Sequence, residues 1–190
     1  MKKTKKRLVF TRDQMLEFNK KTLLNRGVTI ESIAEITYIQ QSKYTAGITR
    51  DLCVESVEKI LSLRDVFHYV QLSAEIDRLA EENLFKSPIQ EIIYEDLGMF
   101  GIDEAMGLDV AGIYGTIGQT NFGDIDVNKH GIVKRLNEAG KEEGICHTFL
   151  DDIVGAIAAA ASTRVAQVTN EELAHEDDAV KRISIFDLFE

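Results

Sequence analysis

The chain has 190 residues, 44% hydrophobic and 28% charged, a balance that suits a soluble globular protein with room for a sizeable core. Its formal net charge of −10 argues against a bulk electrostatic grip on nucleic acid. The longest unbroken apolar run, 153–161, is about half of the roughly 20 residues that a membrane-spanning helix needs.

Only Cys53 and Cys146 are present, far apart and without metal-site spacing, so a reducing cytoplasm and no disulfide framework are expected. The opening residues carry no secretory pattern. Lys2, Lys3, Lys5, Lys6 and Arg7 form a basic tail over 1–10. That tail reads either as a solvated end or as one drawn to the anionic inner face of a membrane, each cation adding about 1 kcal/mol.

Periods of 3.6 residues dominate, and the expected fold is all-α, a single multihelical domain over 1–190. Thr11 caps a helix carrying Met15, Leu16, Phe18, Leu23 and Leu24, closed by Gly27. Thr29 caps a second, with Ile30, Ile33, Ala34, Ile36 and Ile39 as its apolar positions. A third spans about 50–63 with Cys53, Val57, Ile60 and Leu61 inward, and a fourth 66–83 with Val70, Leu72, Ile76 and Leu79. Ser87-Pro88 opens another, carrying Ile89, Ile92, Ile93 and Leu97. The stretch 103–120 reads as one helix despite its glycines, and 128–138 as a short helix with Ile132, Val133 and Leu136 inward. A buried central helix is expected near 147–166, then a polar helix over 170–178. Ile185, Phe186, Leu188 and Phe189 make 180–190 a docking tail for the body or another subunit, so a homo-oligomer is expected.

The chemistry concentrates at Asp151-Asp152, at the head of that most apolar helix. A buried carboxylate must be paired or coordinated, so two adjacent ones require a cation, either a metal or a cluster of Lys and Arg. Further carboxylates gather at Asp103-Glu104, Asp124-Ile125-Asp126 and Glu142-Glu143, with Lys129, His130, Lys134 and His147 nearby. Carboxylates with few Cys or His partners favour a hard cation such as Mg²⁺ or Mn²⁺, which commonly serves phosphate chemistry, and Lys129 and Lys134 would hold the phosphate.

Plainer readings stand beside these. Thr148-Phe149-Leu150-Asp151 has capping-box spacing, and Asp103-Glu104 suits a helix start. Glu142-Glu143 suits a solvated turn. His147 lies one turn before Asp151, so the two either form a functional pair or His147 is structural. Gly112, Gly115 and Gly118 serve close helix packing or, alternatively, a phosphate nest. Asp124-Ile125-Asp126-Val127-Asn128 opens like a calcium loop, but Lys129 and Arg135 occupy the positions that need Gly and Glu. A dehalogenase-type nucleophile would need a preceding parallel strand, and Thr120-Asn121-Phe122-Gly123 is not one.

Three ordered patches resemble the phosphatidylglycerophosphatase A family: Asp103-Glu104-Ala105-Met106-Gly107, Phe122-Gly123-Asp124-Ile125-Asp126-Val127-Asn128-Lys129, and Asp151-Asp152-Ile153-Val154-Gly155-Ala156. The similarity is closest to a soluble Gram-positive branch that includes proteins called low-temperature requirement C. It implies Mg²⁺-dependent dephosphorylation of phosphatidylglycerol phosphate or a related ester, at or near a membrane surface. It also implies Asp103, Glu104, Asp126, Asp151 and Asp152 as metal ligands, with Asp126, Asp151 and Asp152 catalytic and Lys129 on the phosphate. The competing expectation is a non-catalytic helical oligomer acting as an interaction protein.

Overall fold

A computed structural model describes residues 9–142 and 144–176. The described residues form α1 (Arg12–Asn25), α2 (Ile30–Ser42), α3 (Arg50–Leu61), α4 (Arg64–Glu81), α5 (Ile89–Tyr94), α6 (Ile102–Gly112), α7 (Gly115–Asn128), α8 (Gly131–Ala139) and α9 (Leu150–Glu176), with no strand among them. The chain is all-α, as its periodicity predicts. The basic residues 2–7 and the apolar tail 183–190 lie outside the described residues.

Threonines start the first three helices. Thr11 and Gln14 close a capping box on α1, Thr29 and Ser32 close one on α2, and Thr49 accepts from Leu52 N on α3. Gly27, at φ +75°, turns the chain between α1 and α2 where a side chain would be strained.

α9 is the axis around which α2, α3, α6 and α7 pack, with α4 and α8 alongside. Ile153, Val154, Ile157 and Val165 are fully enclosed, as is every residue of the alanine run 156–161. Each large aliphatic side chain buried there contributes about 1.5–3 kcal/mol. The alanines let neighbouring helices approach closely, and polar contacts stitch the far end: Asn121 Nδ2 donates to Thr163 Oγ1 at 3.2 Å and Ser162 Oγ to Gln41 Oε1 at 3.1 Å. The buried central helix is therefore present, and it runs on to Glu176, into the segment expected as a separate helix at 170–178, whose last two residues lie outside the described ones.

Four other features differ from the sequence reading. The helix opened by Ser87-Pro88 ends at Tyr94, so Leu97, expected on it, lies beyond it and is exposed. The stretch 103–120 breaks at a corner, where α6 ends at Gly112 and α7 begins at Gly115, whose φ of +77° no ordinary helix contains. Gly115 serves the turn, whereas Gly107 and Gly118 serve close packing between α6 and α7. A Cβ on Gly118 would stand 2.2 Å from Ala111 O, and one on Gly107 would stand 2.4 Å from the Phe122 ring. Next, α8 starts three residues later than expected, because Lys129 adopts a left-handed conformation (φ 35°) that ends α7. Finally, α4 faces inward through Val66, Val70, Ala74 and Asp77, leaving Leu72 52% exposed. The α6–α7 corner folds the start of α6 back beside the end of α7, so two acidic patches meet at one end of α9.

Candidate active site

The start of α9 is fixed by a residue far away in sequence. Asp77, wholly buried on α4, accepts hydrogen bonds from Phe149 N at 3.1 Å and Leu150 N at 3.0 Å. Those are N–H groups that a helix start leaves without partners. The Thr148 hydroxyl instead donates to Ile93 O at 2.7 Å. The capping-box reading of Thr148 and Asp151 is thus overturned, and Asp151 N donates to the backbone oxygen of His147. Part of the helix-start reading survives, since Asp151 Oδ1 accepts from Asp152 N at 3.0 Å.

Asp151 and Asp152 are only 6% and 4% exposed. Lys129 reaches them from the end of α7: its Nζ lies 3.0 Å from Asp151 Oδ2, 3.0 Å from Asp126 Oδ1 and 3.9 Å from Asp152 Oδ1. From the start of α6, Asp103 and Glu104 complete the group. One carboxylate oxygen each from Asp103, Glu104 and Asp152 lie within 4.8 Å of one another. No ion pair among the described residues engages Asp103 or Glu104. Five carboxylates therefore share one ammonium group.

Crowding and burial set their ionisation. Burial pushes the Asp152 carboxyl well above the ordinary carboxylate range, and the neighbouring Asp151 charge pushes it further. Asp103 rises through burial and its contact with Glu104, which falls correspondingly. Asp151 rises through burial, against the pull of Lys129. Lys129 is held above its usual range, because the Asp151 and Asp126 carboxylates outweigh its desolvation. Carboxyl groups perturbed by burial and by specific charged neighbours in a cleft are candidates for a functional site.

The cluster opens into a cavity of about 250 Å³ whose rim is the loop from Asp96 to Gly101. A second cavity of about 430 Å³ adjoins it, sharing Asp96, Asn137, Thr148 and Asp151. Of the expected site residues, Asp103, Glu104, Asp126, Lys129, Asp151 and Asp152 all line the first cavity. Lys134 does not join them. It stands on the exposed face of α8, 3.7 Å from Glu138, because Ile132, Val133 and Leu136 take the inward face. Asp124 pairs with Lys43 at 2.7 Å instead of joining the cluster. Glu142 lines the second cavity, and Glu143 lies outside the described residues.

His147 is paired differently from the expectation. Its Nδ1 lies 3.2 Å from Arg26 Nη2, and Arg26 also grips Glu81 through two bonds of 2.8 and 2.7 Å. Burial and the adjacent guanidinium depress His147 to about 4, so it is neutral at ordinary pH. The sequence reading missed Asp77, Arg26, Asp96 and Asn137. Only Asp77 carried a signal, as an acidic residue seven positions after Val70 on an apolar stripe.

The comparisons with known proteins agree with this arrangement. The family model described as phosphatidylglycerophosphatase A matches residues 23–167, a span that holds every carboxylate of the cluster. An uncharacterized Bacillus subtilis protein, YpjQ, is 43% identical over 168 residues, covering 88% of this chain and 93% of its own. The crystal structure of low temperature requirement C protein from Listeria monocytogenes superposes with a TM-score of 0.79 at 42% identity, covering 82% of this chain and 97% of that one. A Bacillus stearothermophilus protein of unknown function gives a TM-score of 0.77 at 45% identity, covering 81% and 94%. No helix among the described residues is long and apolar enough to cross a membrane. The chain belongs to the phosphatidylglycerophosphatase A family.

Proposed function

We propose that this protein is a divalent-cation-dependent phosphomonoesterase acting on phosphatidylglycerol phosphate or a related phosphate ester. The observation that carries this reading is the convergence of Asp103, Glu104 and Asp152 oxygens within 4.8 Å, beside a lysine 3.0 Å from Asp151. The donor set fits Mg²⁺ or Mn²⁺, since it offers carboxylate oxygens with no thiol or imidazole among them. In this reading Asp103, Glu104 and Asp152 hold the cation. Asp126 and Asp151, also expected as ligands, are engaged with Lys129 and orient it.

A bound cation supplies positive charge for the phosphoryl oxygens and acidifies water. The chain's own residues do the rest. Lys129 Nζ, anchored between two carboxylates, presents its remaining proton to a phosphoryl oxygen. Asp77 holds the first turn of α9 in place, so the relative positions of Asp151 and Asp152 are fixed before substrate arrives. The apolar body of α9 shields one side of the cluster from water, which strengthens each electrostatic contact. Leu97 and Met99, exposed at the rim, suit an ester carried by a lipid at a membrane surface.

Purified protein given Mg²⁺ should release phosphate from phosphatidylglycerol phosphate in mixed micelles or from a water-soluble ester. Asp152→Asn should lower that rate by at least about 100-fold. An unchanged rate in the variant would remove the site assignment. Catalysis by neither protein on any ester would favour the non-catalytic oligomer, whose expected docking tail lies outside the described residues.

A further inference from the structure

We propose that the second cavity, beside the carboxylate cluster, is the subsite for the alcohol half of the ester, taking a polar, hydroxyl-bearing group, and that His147 presents its Nε2–H to that group. This rests on the phosphomonoesterase reading above. It goes beyond it by assigning the cavity that holds the alcohol half and the residue that selects it.

The first argument concerns a proton. An arginine guanidinium can only donate hydrogen bonds. With Arg26 Nη2 at 3.2 Å, His147 Nδ1 must therefore accept, and the proton of the neutral ring resides on Nε2. Arg26 cannot swing away easily, because Glu81 holds it through two bonds and the Cys146 carbonyl takes a third at 2.5 Å. Glu81 is itself fixed by Cys146 N at 2.9 Å. Arg26 is thus a positioning residue that sets the tautomer.

The second argument concerns where that proton points. His147 lines the cavity, and its Nδ1 edge is turned to Arg26, leaving the Nε2 edge for the open side. Among the described residues Nε2 has no hydrogen-bond partner, and it is not one of the sealed, unsatisfied polar atoms. An N–H donor facing open space is what a hydroxyl or ester oxygen needs.

The third argument concerns what fits. Tyr94, Asn137 and Thr148 give the cavity further polar groups, and the Tyr94 hydroxyl already accepts from Gly144 N at 2.8 Å, so its own proton stays available to donate. Asp96 and Asp151 supply acceptors for the alcohol's hydroxyl protons, and Lys141 adds a cation to the lining. A volume of about 430 Å³ suits a polyol of a few carbons and is too small for a pair of acyl chains. The same chemistry is offered by a lipid headgroup and by a free polyol phosphate.

The test compares esters with the same phosphate and different alcohols: phosphatidylglycerol phosphate in micelles, glycerol 3-phosphate and phenyl phosphate. His147→Phe keeps the ring volume and removes the donor, whereas His147→Gln places an amide N–H near the Nε2 position. His147→Phe should raise KM about tenfold for the hydroxyl-bearing esters, leave phenyl phosphate within about twofold, and be rescued by His147→Gln. A KM effect on only one of the two hydroxyl-bearing esters identifies whether lipid or soluble polyol is the natural source. Equal losses on the hydroxyl-bearing and phenyl esters, or no change on any of the three, would overturn the proposal.

A readout independent of turnover separates this from failure of the phosphatase reading. Nitrogen NMR of labelled histidine in the wild-type protein should show Nδ1 bare and Nε2 protonated at about pH 7, and glycerol 3-phosphate should shift the Nε2–H signal where phenyl phosphate does not. Binding of that kind without hydrolysis would keep the subsite and refute only the phosphatase. The opposite tautomer, or an Nε2–H signal unmoved by both glycerol 3-phosphate and phosphatidylglycerol phosphate, would refute the subsite.

Discussion

Replacing Asp77 by alanine should unfold the active site from behind. The carboxylate is fully buried and accepts from Phe149 N and Leu150 N, at 3.1 and 3.0 Å, at the start of the helix that carries Asp151 and Asp152. An ordinary exposed cap contributes about 0.5–2 kcal/mol. Here two N–H groups would be left without partners in a dry interior, each costing about 1–3 kcal/mol, so the expected loss is about 2–5 kcal/mol. Asp77→Asn keeps the shape and one acceptor oxygen and should lose about half as much. Thr148→Val should lose less than Asp77→Ala, because the Thr148 hydroxyl serves only Ile93 O and Cys146. Urea unfolding in the presence of a chelator, with the slope checked for constancy, measures all three. A loss below about 0.5 kcal/mol for Asp77→Ala, or a larger loss for Thr148→Val, would refute the cross-chain cap and restore the local one.

Two further outcomes follow from the electrostatics. Asp77 is pushed up to about 8 by burial, and Asp103, Asp151 and Asp152 are raised as well, so the folded state holds protons that the unfolded chain has released. More protons bound in the folded state means stability falls as pH rises. His147, depressed to about 4, works in the opposite sense only below its unfolded value near 6.5. Metal-free protein should therefore lose stability between about pH 6.5 and 8, by about 1 kcal/mol per pH unit for each proton the folded state retains, and Mg²⁺ should flatten the decline. Thermal melts with chelator or Mg²⁺ read this directly, and a flat or rising metal-free profile would contradict it. Lys129→Met removes the ammonium beside Asp151 and Asp152, so the metal-free protein should be destabilised by about 3 kcal/mol. The same change removes a repelling charge, so Mn²⁺ should bind more tightly while KM for the ester rises. Weaker Mn²⁺ binding in that variant would show that Lys129 does not compete for these carboxylates.

The helices and the buried axis were legible because both depend on local pattern. Threonine caps and 3.6-residue stripes located α1 to α3, and the apolar run 153–161 located α9. The corner between α6 and α7 was not legible, because Gly112, Gly115 and Gly118 suit tight packing within one helix as well as a turn between two. Only the positive φ of Gly115 separates these cases. Six of the seven expected site residues came together, because acidic patches with few cationic neighbours must converge if they are buried. Lys134 failed because proximity in sequence to Lys129 says nothing about which side of α8 faces inward. Asp77 and Arg26 escaped because their partners lie 72 and 121 residues away, and no local spacing encodes such a contact. The Thr148–Asp151 spacing misled for the same reason, since a distant carboxylate had already taken the helix start.

The most direct measurement is a calorimetric titration of Mn²⁺ into the metal-free protein, repeated in two buffers of different ionisation enthalpy. If Asp103, Glu104 and Asp152 form a cation site, the wild-type protein binds with release of protons from its raised carboxyl groups, and Asp152→Asn binds at least about tenfold more weakly. No heat of binding in the folded wild-type protein, or an affinity unaffected by Asp152→Asn, would contradict the account.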